Sequence, residues 1–171
     1  FDDNDPFEYE LINGELVKKQ SPTFRHQRIS TIIENLLFNY AQKTKAGMML
    51  HAPLDVVLDD GNAYHPDVFF IKAERSFVIN EAEQIIIGAP DLVVEILSKG
   101  TAIYDKGDKK DTYEKYGVRE FWLVDPLSKS VEIYAYVEQQ FKLTQYAAES
   151  GTMKSLVLEG LEFQVEDIFA G

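Results

Sequence analysis

Two carboxylates and one lysine in this 171-residue chain have the types and spacing for phosphate chemistry. Glu95 sits within Asp-Leu-Val-Val-Glu-Ile-Leu-Ser, residues 91 to 98, where Leu92, Val93, Val94, Ile96 and Leu97 are apolar on both alternating faces. A strand with that pattern is buried on both sides, as at the centre of a covered sheet. An ionised carboxylate there is costly unless it is paired, protonated or bound to a metal. Asp67, in His-Pro-Asp-Val-Phe-Phe-Ile, stands at the mouth of a second apolar strand. If the two strands pair, Val93, Glu95 and Leu97 share a face with Asp67, Phe69 and Ile71, and both carboxylates converge on one hard cation. Magnesium takes a few carboxylates and keeps several waters. Such an ion can polarise a phosphate oxygen and generate hydroxide near neutral pH. Lys109 could orient the attacking water or neutralise charge developing on the phosphorane. This division of labour suits phosphodiester hydrolysis. Plainer roles compete: Asp67 as a turn cap after Pro66, and Lys109 as one of several solvated lysines in Lys106-Gly-Asp-Lys-Lys.

The elements that must position these groups are legible along the chain. Tyr9 to Val17 reads as a β-hairpin about Asn13-Gly14, because both turn positions need positive φ. Ser21-Pro22-Thr23 offers a helix N-cap and an early proline. Ile29, Ile32, Ile33, Leu36, Leu37 and Tyr40 then recur at three and four, with Lys43 and Lys45 near the end and Gly47 to close the helix. His26 shares the edge of that stripe, either as a core-edge histidine bonded to backbone or as a member of a site. Residues 48 to 58 read as one strand bent at Pro53, followed by a turn over Asp59-Asp60-Gly61-Asn62. Residues 73 to 84 read as a charged surface loop, and Ile85 to Pro90 as the approach to the central strand. Residues 101 to 117 read as a helix ending at Gly117, with Asp105, Lys109, Tyr113 and Tyr116 on one face. If the tyrosines pack inward, Lys109 is aimed inward with them. A further apolar strand spans 120 to 126, a hairpin 131 to 146, a short strand 156 to 163, and a helical turn 165 to 169.

The totals bound the function. The length fits a single domain over 1–171 with a sizeable core. Cysteine is absent, which removes disulfides and thiolate metal sites and suits a reducing cytoplasm. No apolar run is long enough to span a bilayer, so no membrane partner is expected. The chain begins at Phe1 rather than Met, so the native start is expected upstream, and residues 1 to 7 are expected to fray. Twenty-nine acidic against 17 basic residues give a net charge of -12, which opposes bulk attraction to nucleic acid. A local basic rim and a divalent metal can still hold phosphate.

Tyr-Glu-Leu-Ile-Asn-Gly-Glu-Leu at 9 to 16, His26, His-Pro-Asp-Val at 65 to 68, Pro-Asp-Leu-Val-Val-Glu-Ile-Leu-Ser at 90 to 98, Tyr-Asp-Lys-Gly-Asp-Lys at 104 to 109 and Tyr-Gly-Val-Arg-Glu-Phe-Trp-Leu-Val-Asp-Pro at 116 to 126 can be taken together. The chain so read resembles a bacterial restriction-endonuclease family, long labelled a domain of unknown function, within the PD-(D/E)XK nuclease superfamily. The resemblance runs from Tyr9 to about Phe169. It implies an α/β (α+β) restriction-endonuclease-like core, a mixed central sheet flanked by helices, with an N-terminal hairpin and extra C-terminal strands. It implies a magnesium-dependent endonuclease acting on DNA, with manganese as a substitute metal. Asp67 and Glu95 match the two acidic positions and so become the metal ligands. The superfamily lysine belongs two residues after the second acid, where this chain has Leu97, and the family supplies it from the next helix, here Lys109. Glu15 and His26 match family positions that border the site; Glu10, Ser98 and Asp105 match positions that fit hydrogen-bonding scaffold as well. A homodimer would cut two strands. Two other readings stay open: a non-catalytic binding or assembly module on a relic nuclease fold, and hydrolysis of some other phosphorylated substrate.

Overall fold

A computed structural model describes residues 7–170, so most of the expected frayed terminus, residues 1 to 6, lies outside the described residues. In chain order the elements are β1 (Tyr9–Ile12), β2 (Glu15–Lys18), α1 (Phe24–Thr44), β3 (Gly47–His51), β4 (Val56–Asp59), β5 (Asn62–Tyr64) and β6 (Val68–Lys72). A 3-10 segment (Ala73–Val78) leads to β7 (Ile79–Asn80), β8 (Ile85–Ile87) and β9 (Leu92–Ile96). Two short helices follow, α2 (Ala102–Lys106) and α3 (Asp108–Lys115), then β10 (Glu120–Asp125), β11 (Ser130–Val137), β12 (Gln140–Ala148), β13 (Thr152–Lys154), β14 (Glu162–Gln164) and α4 (Val165–Ile168).

The central sheet has the order β12-β11-β10-β9-β6-β3 and is mixed: β9 runs parallel to β10 and antiparallel to β6. Every residue of β9 is buried, as its two-sided apolar pattern requires. Strand alternation divides its side chains between two cores. Leu92, Val94 and Ile96 join Val68 and Phe70 beneath the stripe of α1 formed by Ile29, Ile33, Leu37 and Ala41. On the other face Val93 and Leu97 join Phe69, Ile71, Phe121 and Tyr113. That second face is covered by α3 together with a second sheet, order β2-β1-β5-β4-β8-β7, which contributes Ile12, Val56, Tyr64 and Ile86. The mixed sheet with flanking helices is therefore present, and a whole second sheet grows from the N-terminal hairpin.

Several local expectations change. Residues 48 to 58 form two strands in two sheets, β3 against β6 and β4 against β5, with the chain crossing between them at Pro53. Lys45, with φ 57, closes α1, and Gly47 instead begins β3, where an added Cβ would lie 2.1 Å from the Ile71 carbonyl oxygen. The 73 to 84 loop carries the 3-10 segment and β7, and Ile85 to Ile87 belong to the second sheet. The long helix breaks at Gly107, which ends α2 and precedes α3. The strand expected at 156 to 163 is mostly turn. Its backbone amides are taken by a distant carboxylate: Leu156 and Val157 N–H donate to Glu120 Oε2 at 2.6 and 3.2 Å. A pairing strand was unnecessary there because the donors were already satisfied.

Candidate active-site cleft

The register of β6 and β9, Val68 opposite Val94 and Phe69 opposite Val93, brings Asp67 and Glu95 to the same end and the same face of the pair. Both line a cleft of about 280 Å³ at the edge of the second core, together with Glu10, Lys19, His26, Ser98, Thr101, Asp105 and Lys109. Of the predicted site residues, the fold brings together Asp67, Glu95, Lys109 and His26. Glu15 is not among them: it is exposed at the start of β2, opposite Ile12 at the turn end of the hairpin. The hairpin carboxylate that reaches the cleft is Glu10, opposite Val17 and farther from the turn. Its alternation with buried Ile12 was the available sign, since both fall on the inward face of β1.

Lys109 is the hub. Its Nζ lies 2.7 Å from Glu95 Oε1, 3.1 Å from Glu10 Oε1 and 3.3 Å from Asp105 Oδ1, and it is 2% exposed. The position two residues after Glu95 is filled by Leu97, packed into the apolar core, so the ammonium beside Glu95 arrives from α3. The break at Gly107 does not separate Asp105 from Lys109. Tyr113, fully buried one turn after Lys109, donates its hydroxyl to Glu95 Oε1 at 2.6 Å. Lys19, which sequence reading passed over, donates to the His65 carbonyl at 2.9 Å and stands 3.9 Å from Glu10. It stands one residue past β2 on the same face as half-buried Val17, where a single lysine at a strand end carries no distinctive pattern.

Asp67 is held by two partners on one oxygen. Its Oδ2 accepts the Ile96 N–H at 2.7 Å and is hydrogen-bonded to His26 Nε2 at 3.1 Å. Asp67 lies just before β6, within reach of the first turn of α1, where Thr23 caps the helix by accepting the His26 N–H at 3.2 Å. The same histidine therefore anchors the helix start through its backbone and meets Asp67 through its ring.

The electrostatics are those of a carboxylate-rich, partly desolvated site. Burial pushes Glu95 up to about 8; Lys109 opposes this, while Asp105, Asp67 and Glu10 add to it. Burial likewise raises Asp105 despite Lys109. For Glu10 burial is outweighed by Lys109 and Lys19, and its carboxyl is lowered. Burial of Asp67 is outweighed by His26, Lys19 and the Ile96 amide, again lowering it. Burial would lower His26, but the hydrogen bond and charge of Asp67 win and raise it. Burial would also lower Lys109, and the charges of Glu95 and Glu10 drive it well above the ordinary lysine value.

These donors suit a hard divalent cation. Five carboxylates, Glu8, Glu10, Asp67, Glu95 and Asp105, share the cleft with two ammonium groups, those of Lys19 and Lys109. Glu95 is elevated first by its burial and then by the neighbouring charges of Asp105, Asp67 and Glu10, against the pull of Lys109. Among the described residues no three His, Asp or Glu side chains form a ready metal cage.

The fold is similar to that of "a putative nuclease belonging to DUF820 from Anabaena variabilis ATCC 29413", with a TM-score of 0.78 and 20% identity over 95% of this chain and 89% of that one. An uncharacterized protein of Synechocystis sp. (strain PCC 6803) is 25% identical over 147 residues, 85% of this chain and 82% of that protein. With residues 1–166 matched by its family model, the chain belongs to the Uma2 family, whose description is "Putative restriction endonuclease".

Proposed function

We propose that this protein is a divalent-metal-dependent endonuclease that hydrolyses DNA phosphodiester bonds, with magnesium as the resident cation and manganese able to replace it. The observation that carries this reading is the buried Glu95–Lys109 contact of 2.7 Å on the same sheet face as Asp67. Asp67 and Glu95 would hold the metal, which supplies a polarised phosphate oxygen and an acidified water. Lys109 presents its ammonium to the attacking water or to the phosphorane oxygens, where charge accumulates in the transition state. Glu10 and Asp105 fix the position of that ammonium. His26 orients Asp67 through the same oxygen that accepts the Ile96 N–H, as outer hydrogen-bonding partners do for ligands.

The reading takes residues 1–171 as one restriction-endonuclease-like domain, a cytoplasmic setting and a homodimer that would cut both strands; sedimentation of the protein with and without DNA tests the last of these. No helix among the described residues is long and apolar enough to cross a membrane. The decisive experiment is cleavage of supercoiled plasmid in magnesium and then manganese, wild type beside Glu95→Ala. Metal-dependent nicking by the wild type alone supports the assignment, and equal nicking by both ends it.

A second reading, a binding module on a relic nuclease fold, draws on one feature: Lys109 already contacts three carboxylates, so the cleft can satisfy itself. Absence of both plasmid nicking and a magnesium-dependent rise in melting temperature would favour it.

A further inference from the structure

A groove of about 590 Å³ lies beside the carboxylate cleft. Gln20 and Ser98 line both, so the groove opens out of the cleft. Its floor is apolar, with Leu97, Ala102, Pro126 and Leu127, and its rim carries Arg25, Lys99 and Lys106. Arg25 is also the boundary of a further depression of about 250 Å³ lined by Arg28 and Lys129. Together the two depressions carry five cations, Arg25, Arg28, Lys99, Lys106 and Lys129, and one carboxylate, Asp125. That carboxylate is already engaged, accepting the Leu127 N–H at 2.8 Å. In a chain with 29 acidic and 17 basic residues this is a local reversal of sign.

The five cations are exposed, and of them Arg28 donates its Nε–H to the Ala170 carbonyl at 3.0 Å. Neither the Lys99 nor the Lys106 ammonium has a hydrogen bond or ion pair among the described residues, and Arg25 makes only a 3.5 Å contact to the Pro126 carbonyl. Three elements converge to form the rim: the first turn of α1, the loop after β9 with α2, and the turn after β10. No acidic side chain lies in the first turn of α1. An apolar floor edged by free cations fits a chain that alternates charged phosphates with flat, weakly polar faces, which is a nucleic-acid strand.

We infer that this basic groove is the track of the DNA strand being cut, binding the nucleotides next to the phosphodiester held in the carboxylate cleft. The inference rests on the nuclease reading for the identity of the strand, but its test does not. Phosphates on Lys106, Lys99 and Arg25 would hold the strand against an otherwise repellent surface, and Leu127 and Pro126 would contact sugars and bases. Arg28 and Lys129 extend the same track outward. The strand thereby enters a site whose own charge is negative.

The test is fluorescence anisotropy of a labelled oligonucleotide, single-stranded and duplex, in EDTA so that no cleavage occurs. Arg25→Ala/Lys99→Ala/Lys106→Ala should weaken binding about tenfold or more and lower the slope of log K against log salt by roughly two to three, in line with three lost phosphate contacts. A control with three remote cations removed, Lys43→Ala/Lys142→Ala/Lys154→Ala, should bind as the wild type does. Equal losses in the two variants, or no binding by the wild type at low salt, would overturn the groove. Plasmid nicking by the same preparations is scored separately. Groove-dependent binding without nicking keeps the track and removes the nuclease, whereas nicking with groove-independent binding does the reverse.

Discussion

Lys109 Nζ lies 2.7 Å from Glu95 Oε1, although Glu95 stands on a central strand and Lys109 on a helix that begins only after the helical break at Gly107. The contact joins the most buried carboxylate of the cleft to its most buried cation. It is also the reason that a lysine absent from the position two residues after Glu95 is not absent from the site: Leu97 fills the core there, and the charge comes from α3.

Lys109→Met separates the two parts this lysine plays. Plasmid cleavage should fall about 10²–10³-fold, the usual cost of removing one donor aimed at transition-state charge. Stability should fall too, by about 3 kcal/mol or more, because Glu10, Glu95 and Asp105 lose their shared cation. Magnesium should stabilise this variant more than the wild type, measured as a larger shift of the urea midpoint. Unchanged turnover would remove Lys109 from the chemistry.

The elevation of Glu95 sets a pH dependence with a definite sign. Unfolded, its carboxyl ionises near 4.5; folded, near about 8. Between those values the folded state holds a proton that the unfolded state has released, so metal-free stability declines as pH rises through that window. His26, also raised, declines in the same direction, whereas Asp67 and Glu10, which are lowered, lose stability only on acidification. Glu95→Gln should therefore flatten the stability profile of the metal-free protein between pH 4.5 and about 8. Apparent magnesium affinity of the wild type should increase over the same range, since the metal competes with that proton. Parallel urea-midpoint profiles for the two proteins would refute the assignment.

His26→Ala tests the ring contact with Asp67. The helix cap is a backbone bond to Thr23 and survives the substitution. Melting should change little, while cleavage or metal affinity drops roughly 10- to 100-fold, the range for a lost outer partner of a ligand. A fall in melting temperature with full activity would make His26 a packing residue only.

Glu120 is a buried carboxylate with a different purpose. It accepts Trp122 Nε1–H at 2.6 Å, the Ser155 hydroxyl at 2.8 Å and the two amides of residues 156 and 157. Glu120→Ala should cost roughly 3 kcal/mol in urea melts by orphaning those donors, with no loss of metal-dependent cleavage per folded molecule. A loss of cleavage beyond the loss of folded protein would tie this carboxylate to the site.

Elements whose signals are local can be read from the amino-acid order alone. The two-sided apolar run around Glu95, the stripe of α1, the Asn13-Gly14 turn and the hairpin of β11 and β12 are periodicities and turn chemistries that a few neighbouring residues carry. They were enough to put Asp67 and Glu95 on one face, because alternation fixes the face once two strands pair. The inward aim of Lys109 was legible for the same reason, through its spacing from Asp105 and Tyr113.

Features that depend on partners far along the chain emerge only when the chain folds. Glu10 rather than Glu15 entered the cleft through a contact with Lys109 across 99 residues. The 48 to 58 stretch was divided between two sheets, each with its own pairing partners. The turn after Ser155 was set by Glu120, 37 residues before Val157. The basic groove likewise joins side chains from three separated segments, none of which is unusually charged alone. Local pattern specifies which face a residue takes, whereas the closing of long loops specifies whom it meets there.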